Sequence, residues 1–241
     1  MLNNNLVLDS QLTDNSAIMT LVIGLRADKG IVLASDSRTT NVSDGRVYEN
    51  TPKLFAVSER VAIGVSGAGS LTQSIIDQML RKATSKAGVE DVGKILCEQA
   101  QTIYKRQSVL LRKDQSIPAE FVLAAWATAP NSAKEEPFLY GSAAVNGFDL
   151  TRYVYSPIVT LGNTAYCEVL LRRIFDPTGS VEEAQLLAVL AILETARVVN
   201  NVNDRIQMLV VRERGIERIS PERIDALKAI AQRANWDCLL P

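Results

Sequence analysis

A hydroxyl, a carboxylate, an ammonium and a glycine-rich turn follow one another in the first third of the chain. The strings are Thr20-Leu21-Val22-Ile23-Gly24, then Ser35-Asp36-Ser37-Arg38-Thr39-Thr40, then Lys53, then Ser66-Gly67-Ala68-Gly69. The 241 residues include no histidine. That rules out Ser-His-Asp and Cys-His catalysis within the chain, and every histidine-based metal site. A hydrolase built on this sequence must take its base from a lysine, a carboxylate or a free α-amine. Each residue also has a plainer use. Threonine at a strand start follows from β-propensity. Asp36-Ser37 fits turn chemistry at a strand end. Lys53 fits a solvated charge, and Gly67 and Gly69 fit a tight turn.

The elements that must position these residues can be read from periodicity. Thr20–Arg26 and Ile31–Ser35 are apolar, β-branched runs around Asp28-Lys29-Gly30, a hairpin pattern. Residues 36–52 are polar and read as a loop. Lys53–Val57 and Val61–Val65 form a second hairpin pattern. Ser70 is placed to cap a helix carrying Leu71, Ile75, Ile76, Met79 and Leu80, ended by Gly88. A second helix is expected from Glu90 to Leu111. Strands are expected at Phe121–Thr128, Pro137–Gly141 and Thr151–Ser156, and Gly162 is read as opening a third helix through Arg173. Ser180 and Glu183 make a capping box for a fourth, Val181–Val199. Ile206–Arg212 and Ile216–Ile219 are late strands, and Pro221 starts a terminal helix to Ala234. Two sheets covered by two helix layers would bury these apolar faces.

Composition sets wider bounds. Apolar residues are 47 % and charged residues 22 % of the chain, enough for a substantial core, and the net charge of −1 favours neither nucleic acid nor a membrane surface. No apolar run is long enough to span a bilayer. Residues 1–19 are polar and Asn-rich, without the basic start and apolar stretch of a secretory signal, so a cytoplasmic protein is expected. Cys97, Cys167 and Cys238 have no metal or redox spacing and read as reduced thiols. No cofactor or metal is expected.

The order and spacing from Thr20 to about Gln73 closely resemble proteasome β-subunits and related bacterial self-compartmentalising proteases. The resemblance implies an α+β fold, a four-layer αββα sandwich of two antiparallel sheets between helix layers, over a single domain 20–241. It implies that Thr20 is an N-terminal nucleophile, with Lys53 beside its hydroxyl, Asp36 orienting Lys53, and the Gly69 N–H as oxyanion donor. The serine and acid that support the site in the family have no direct match; Asn163 and Asp204, or Asn200 for the latter, are the stand-ins. Thr39, Thr40, Phe55, Gly67 and Leu71 should border the substrate side chain, with Gly67 leaving room for it.

The same resemblance implies a peptide or unfolded-protein substrate, a homo-oligomeric ring or double ring, and room for an ATPase unfoldase as partner. Residues 1–19 are then a leader or a mis-assigned start. Translation from Met19 with removal of that methionine is the favoured route to a free Thr20 amine, and self-cleavage between Met19 and Thr20 is the other. A catalytically inactive ring subunit and a small-molecule Ntn amidase stay open as alternatives.

Overall fold

A computed structural model describes residues 20–40, 46–109, 117–129, 132–162 and 164–233. The chain opens with β1 (Leu21–Ala27) and β2 (Gly30–Ser35), paired antiparallel with Val22 opposite Ser35. Both strands are almost continuously apolar because both of their faces are covered. Leu21, Ile23 and Leu25 point to one core, and Val22, Ile31 and Leu33 to another. A two-residue ribbon follows, β3 (Thr39–Thr40) against β4 (Val47–Tyr48), within the stretch expected to be plain loop. Next come β5 (Leu54–Ala56), β6 (Val61–Gly67), α1 (Gly69–Lys82), α2 (Val89–Ser108), β7 (Ala119–Thr128), β8 (Glu135–Ala143) and β9 (Thr151–Arg152). The chain then runs through β10 (Ile158–Gly162), α3 (Ala165–Ile174), α4 (Val181–Val198), β11 (Gln207–Arg212), β12 (Gly215–Arg218) and α5 (Pro221–Arg233).

Two five-stranded antiparallel sheets result, one in the order β10-β1-β2-β11-β12 and the other β5-β6-β7-β8-β9. Three apolar clusters separate four layers. Leu21, Ile23, Val32, Met208 and Val210 pack under α3, α4 and α5. Ile63, Val65, Phe121 and Leu123 pack under α1 and α2. Val22, Leu33, Leu54, Val122 and Leu209 fill the space between the sheets. This is the αββα sandwich that the pattern of elements implied.

Several local expectations are corrected. Ser70 does not cap α1; the helix begins at Gly69 after Ala68, and no side chain caps it. It stops at Lys82, well before Gly88, which instead precedes α2. The strand read at Thr151–Ser156 covers two residues, and the chain re-enters a sheet as β10, a strand the periodicity reading omitted. Gly162 therefore ends a strand rather than opening a helix. Its φ of +84° is open to glycine at little cost, and it turns the chain off the sheet edge. The capping box at Ser180 is present as expected: the Ser180 Oγ accepts from the Glu183 N–H at 3.1 Å, and the Ser180 N–H donates to Glu183 Oε2 at 2.7 Å. Leu111 and Ala234, the expected ends of two helices, lie outside the described residues.

Candidate active site

Asp36 follows β2 directly, where the strand pairing with β1 runs out. Its backbone N–H donates to the Leu21 carbonyl at 3.2 Å, and its Oδ1 accepts from the Leu21 N–H at 2.9 Å. The same Oδ1 takes the Lys53 ammonium at 2.7 Å, while Oδ2 accepts from the Arg38 N–H at 2.9 Å. Two donors on one oxygen hold the ammonium within about 6 Å of the peptide nitrogen joining Thr20 to Leu21. Asp36 is 0 % and Lys53 3 % exposed, so this ion pair is fully desolvated. Burial lowers the Lys53 pKa from the ordinary lysine value; the Asp36 carboxylate opposes that shift by its charge and its hydrogen bond. The Arg38 carbonyl accepts from the ammonium as well, at 2.5 Å.

The backbone of Lys53 is set by β11, the strand beside β2, where Gln207 stands opposite Ser35. Gln207, the first residue of β11, accepts from the Lys53 N–H at 3.2 Å and donates to the Thr51 carbonyl at 2.8 Å. Sequence reading passed over Gln207; its one signal was a polar residue opening the apolar run Met208–Val211. A second clamp comes from Asn203. Its Oδ1 accepts from the Ser37 N–H at 3.0 Å, and its Nδ2 donates to Glu49 Oε2 at 2.6 Å. Glu49 also holds the Arg38 guanidinium, at 3.0 Å. These contacts to the segment after Asp36 belong to Asn203, which is buried, and not to Asp204, which is exposed. Asn200 reaches the same segment through its carbonyl, which accepts from Arg38. Asn163 lies outside the described residues.

The start of α1 carries no side-chain cap. N–H groups in the first turn of a helix have no intrahelical acceptor, and the dipole makes that end positive. Gly69 is exposed there, and a Cβ on it would meet only Thr39 Cγ2, at 3.8 Å. Thr39 and Thr40 are half-buried in the ribbon next to Arg38. The remaining expected pocket residues are reassigned. Leu71 is 0 % exposed and Phe55 half-buried, both packed in the core under α1 and α2. Gly67 does not leave space for a substrate. Its φ is +123°, and a Cβ there would lie 2.2 Å from the Pro118 carbonyl oxygen. Its backbone geometry, by itself, demands glycine.

Thr20 precedes β1 and is 6 % exposed. Strand alternation puts it on the side of Val22, between the sheets. Its carbonyl lies against Gly162, opposite Leu21 in the β1–β10 pairing. The structure thus gathers Asp36, Lys53 and the Arg38 backbone around one end of β1, with Gly69 placed beside the Thr39 side chain.

The family model for proteasome subunits matches residues 19–211. The chain belongs to the proteasome subunit family. The match begins one residue before Thr20 and ends in β11, so every element carrying the residues just described lies inside the proteasome-type region. Solved structures with the same fold include the helical assembly of the Anbu complex from Pseudomonas aeruginosa, at a TM-score of 0.72 and 22 % identity over 91 % of this chain and 93 % of that one. Anbu (ancestral beta-subunit) from Yersinia bercovieri follows with a TM-score of 0.70 and 17 % identity, covering 88 % of this chain and 92 % of its own. Anbu from Hyphomicrobium sp. strain MC1 has a TM-score of 0.68 and 18 % identity, covering 91 % and 96 %. No significant match exists among curated proteins. No helix among the described residues is long and apolar enough to cross a membrane, and none of them form a cluster suited to a metal ion.

Proposed function

We propose that the chain is a threonine-type endopeptidase subunit of a self-compartmentalising, proteasome-like complex, with Thr20 as its N-terminal nucleophile. The observation that carries this reading is the buried Asp36–Lys53 pair, docked by a shared carboxylate oxygen onto the Leu21 N–H. It brings a desolvated ammonium to the end of β1 where Thr20 stands. Once Thr20 is the first residue, its free amine, with an unperturbed pKa of about 7.7–8.0, serves as base in a chain that has no histidine. The amine takes the hydroxyl proton through a water as Oγ attacks a peptide carbonyl. Lys53 favours the neutral amine by its charge. The Gly69 N–H donates to the developing oxyanion. As the adduct collapses the peptide C–N bond breaks, and the departing amine takes the proton held by the α-ammonium. Water then hydrolyses the resulting acyl-enzyme ester, freeing the carboxylate and restoring the threonine hydroxyl.

A homo-oligomeric ring or double ring acting on peptides or unfolded proteins fits the family, and exposed Tyr166 and Val169 on α3 offer apolar surface for subunit contacts. An ATPase unfoldase would feed such a chamber, and a cytoplasmic setting would suit it. The competing reading, an inactive ring subunit, draws on the 6 % exposure of Thr20.

Covalent labelling decides between them. The active reading expects the assembled protein to begin at Thr20 by intact mass. It also expects a β-lactone or epoxyketone adduct on that residue, lost in Thr20→Ala together with peptidase activity. An assembled, unprocessed chain that takes no label would leave the inactive subunit; peptidase activity surviving Thr20→Ala would reject Thr20 as nucleophile.

A further inference from the structure

Glu120 is a half-buried acid that the Thr20–Asp36–Lys53 arrangement leaves unused. It is the second residue of β7, directly opposite Ser66 of β6. Alternation turns both side chains toward the first sheet, on the same side as Val122 and Gly64. There the carboxylate crosses the gap between the sheets, and its Oε2 accepts from the Gly162 N–H at 3.1 Å. Gly162 is confined from its other side too. A Cβ on it would lie 1.9 Å from the Thr20 carbonyl oxygen and 2.9 Å from Ser66 Oγ. A carboxylate, a hydroxyl and the Thr20 carbonyl therefore all border Gly162. The Ser66 hydroxyl is buried and has no hydrogen-bond partner among the described residues.

On the β11–β12 side of the first sheet, Gln207 and Arg218 make polar links to Lys53 and Leu54. The space between the sheets is filled by apolar packing, which is non-directional and tolerates small slides. A hydrogen bond across the gap is directional and fixes one placement. Keeping a carboxylate in that position opposes stability. Burial pushes the Glu120 carboxyl above the usual carboxylate range, with the Gly162 N–H working against the shift. The Tyr153 phenol senses Glu120: it is raised by burial and then by the Glu120 charge. Ser66, Ala143 and Gly162, its neighbours on β6, β8 and β10, carry no charge.

We propose that Glu120 is a positioning residue of the Thr20 site: carried on the second sheet, it holds Gly162 against the Thr20 carbonyl and so sets the direction of the Thr20 hydroxyl. The catalytic consequence rests on the reading of Thr20 as nucleophile; the placement itself does not.

The assembled protein beginning at Thr20, checked by intact mass, and its Glu120→Ala and Glu120→Gln variants test this with two readouts. The first is amide hydrogen exchange in the peptides spanning residues 20–27 and 158–162. The second is the rate of β-lactone acylation at Thr20 between pH 5 and pH 9. Glu120→Ala should speed exchange in both peptides by about tenfold or more and slow acylation by a similar factor, about 1.4 kcal/mol in either free energy. Glu120→Gln, whose amide oxygen can accept the same N–H, should restore both, and its acylation profile should lack the limb that Glu120 contributes in the wild type. Unchanged exchange in Glu120→Ala would overturn the proposal, and so would a glutamine variant that behaves like the alanine one. Should the peptides respond as expected while the wild type takes no label, the nucleophile assignment falls and the positioning role of Glu120 stands.

Discussion

Replacing Asp36 with asparagine keeps the side-chain shape and removes one charge from a fully desolvated pair. The carboxylate accepts from three donors, the Leu21 N–H and the Lys53 ammonium on Oδ1 and the Arg38 N–H on Oδ2. An amide has one accepting oxygen, so its NH2 must face one of those donors. Lys53, 3 % exposed, is left without a counter-charge. Breaking a buried pair from one side costs about 3–5 kcal/mol, whereas an exposed pair contributes about 0–1 kcal/mol. At about 2–4 °C per kcal/mol for a chain of this size, Asp36→Asn should lower Tm by roughly 6–20 °C.

The dependence on pH sharpens the test. Both influences of Asp36 on Lys53 raise the lysine pKa, against a burial effect that lowers it. In the variant only burial remains, so the folded-state lysine pKa drops further below its unfolded value. The unfolded variant then binds more protons than the folded one over a wider range, and its stability rises with pH through that range. The gap to wild type should be widest near pH 6 and narrow toward pH 9. Urea unfolding at both pH values, at fixed protein concentration, measures it. Adding Lys53→Met to Asp36→Asn should recover most of the loss. A gap under about 1 kcal/mol, or one that widens with pH, would refute the claim that this pair is buried and coupled.

Three further outcomes are expected. Gly162→Ala forces a side chain into a positive-φ backbone and onto the Thr20 carbonyl, and should cost roughly 2–4 kcal/mol by chemical denaturation, together with loss of any Thr20 labelling. Ser180→Ala removes the capping box of α4 and should cost about 1 kcal/mol, a Tm loss of about 2–4 °C, with labelling at Thr20 unchanged. Glu120 has a raised folded-state pKa, so its contribution to stability is present at low pH and lost as pH rises through that pKa. The Tm of Glu120→Gln should therefore match wild type near pH 4 and exceed it increasingly toward pH 8.

Much of the architecture was legible because both sheets are buried on two faces. That leaves dense apolar runs such as Leu21–Leu25 and Ile31–Ala34, broken by turns that punctuate them clearly. The α4 capping box was legible for a similar reason, since both of its partners lie within one turn of helix. β10 was harder to see. It is five residues long, and its ending glycine also suits the start of a helix; only pairing with β1 decides which.

Residue types and their order determined the first half of the candidate site. Thr20, Asp36, Lys53 and Gly69 stand where strands and a helix begin or end, and the absence of histidine narrowed the chemistry to an amine, a lysine or a carboxylate as base. Tertiary structure alone decided the supporting half. Asn203 rather than Asp204 holds the segment after Asp36, Gln207 holds Lys53 from a distance of 154 residues, and Glu120 reaches Gly162 across the gap between the sheets. Each of these is a single polar side chain on an unrelated element. Its role follows from strand register and sheet stacking, which no local pattern around the residue encodes.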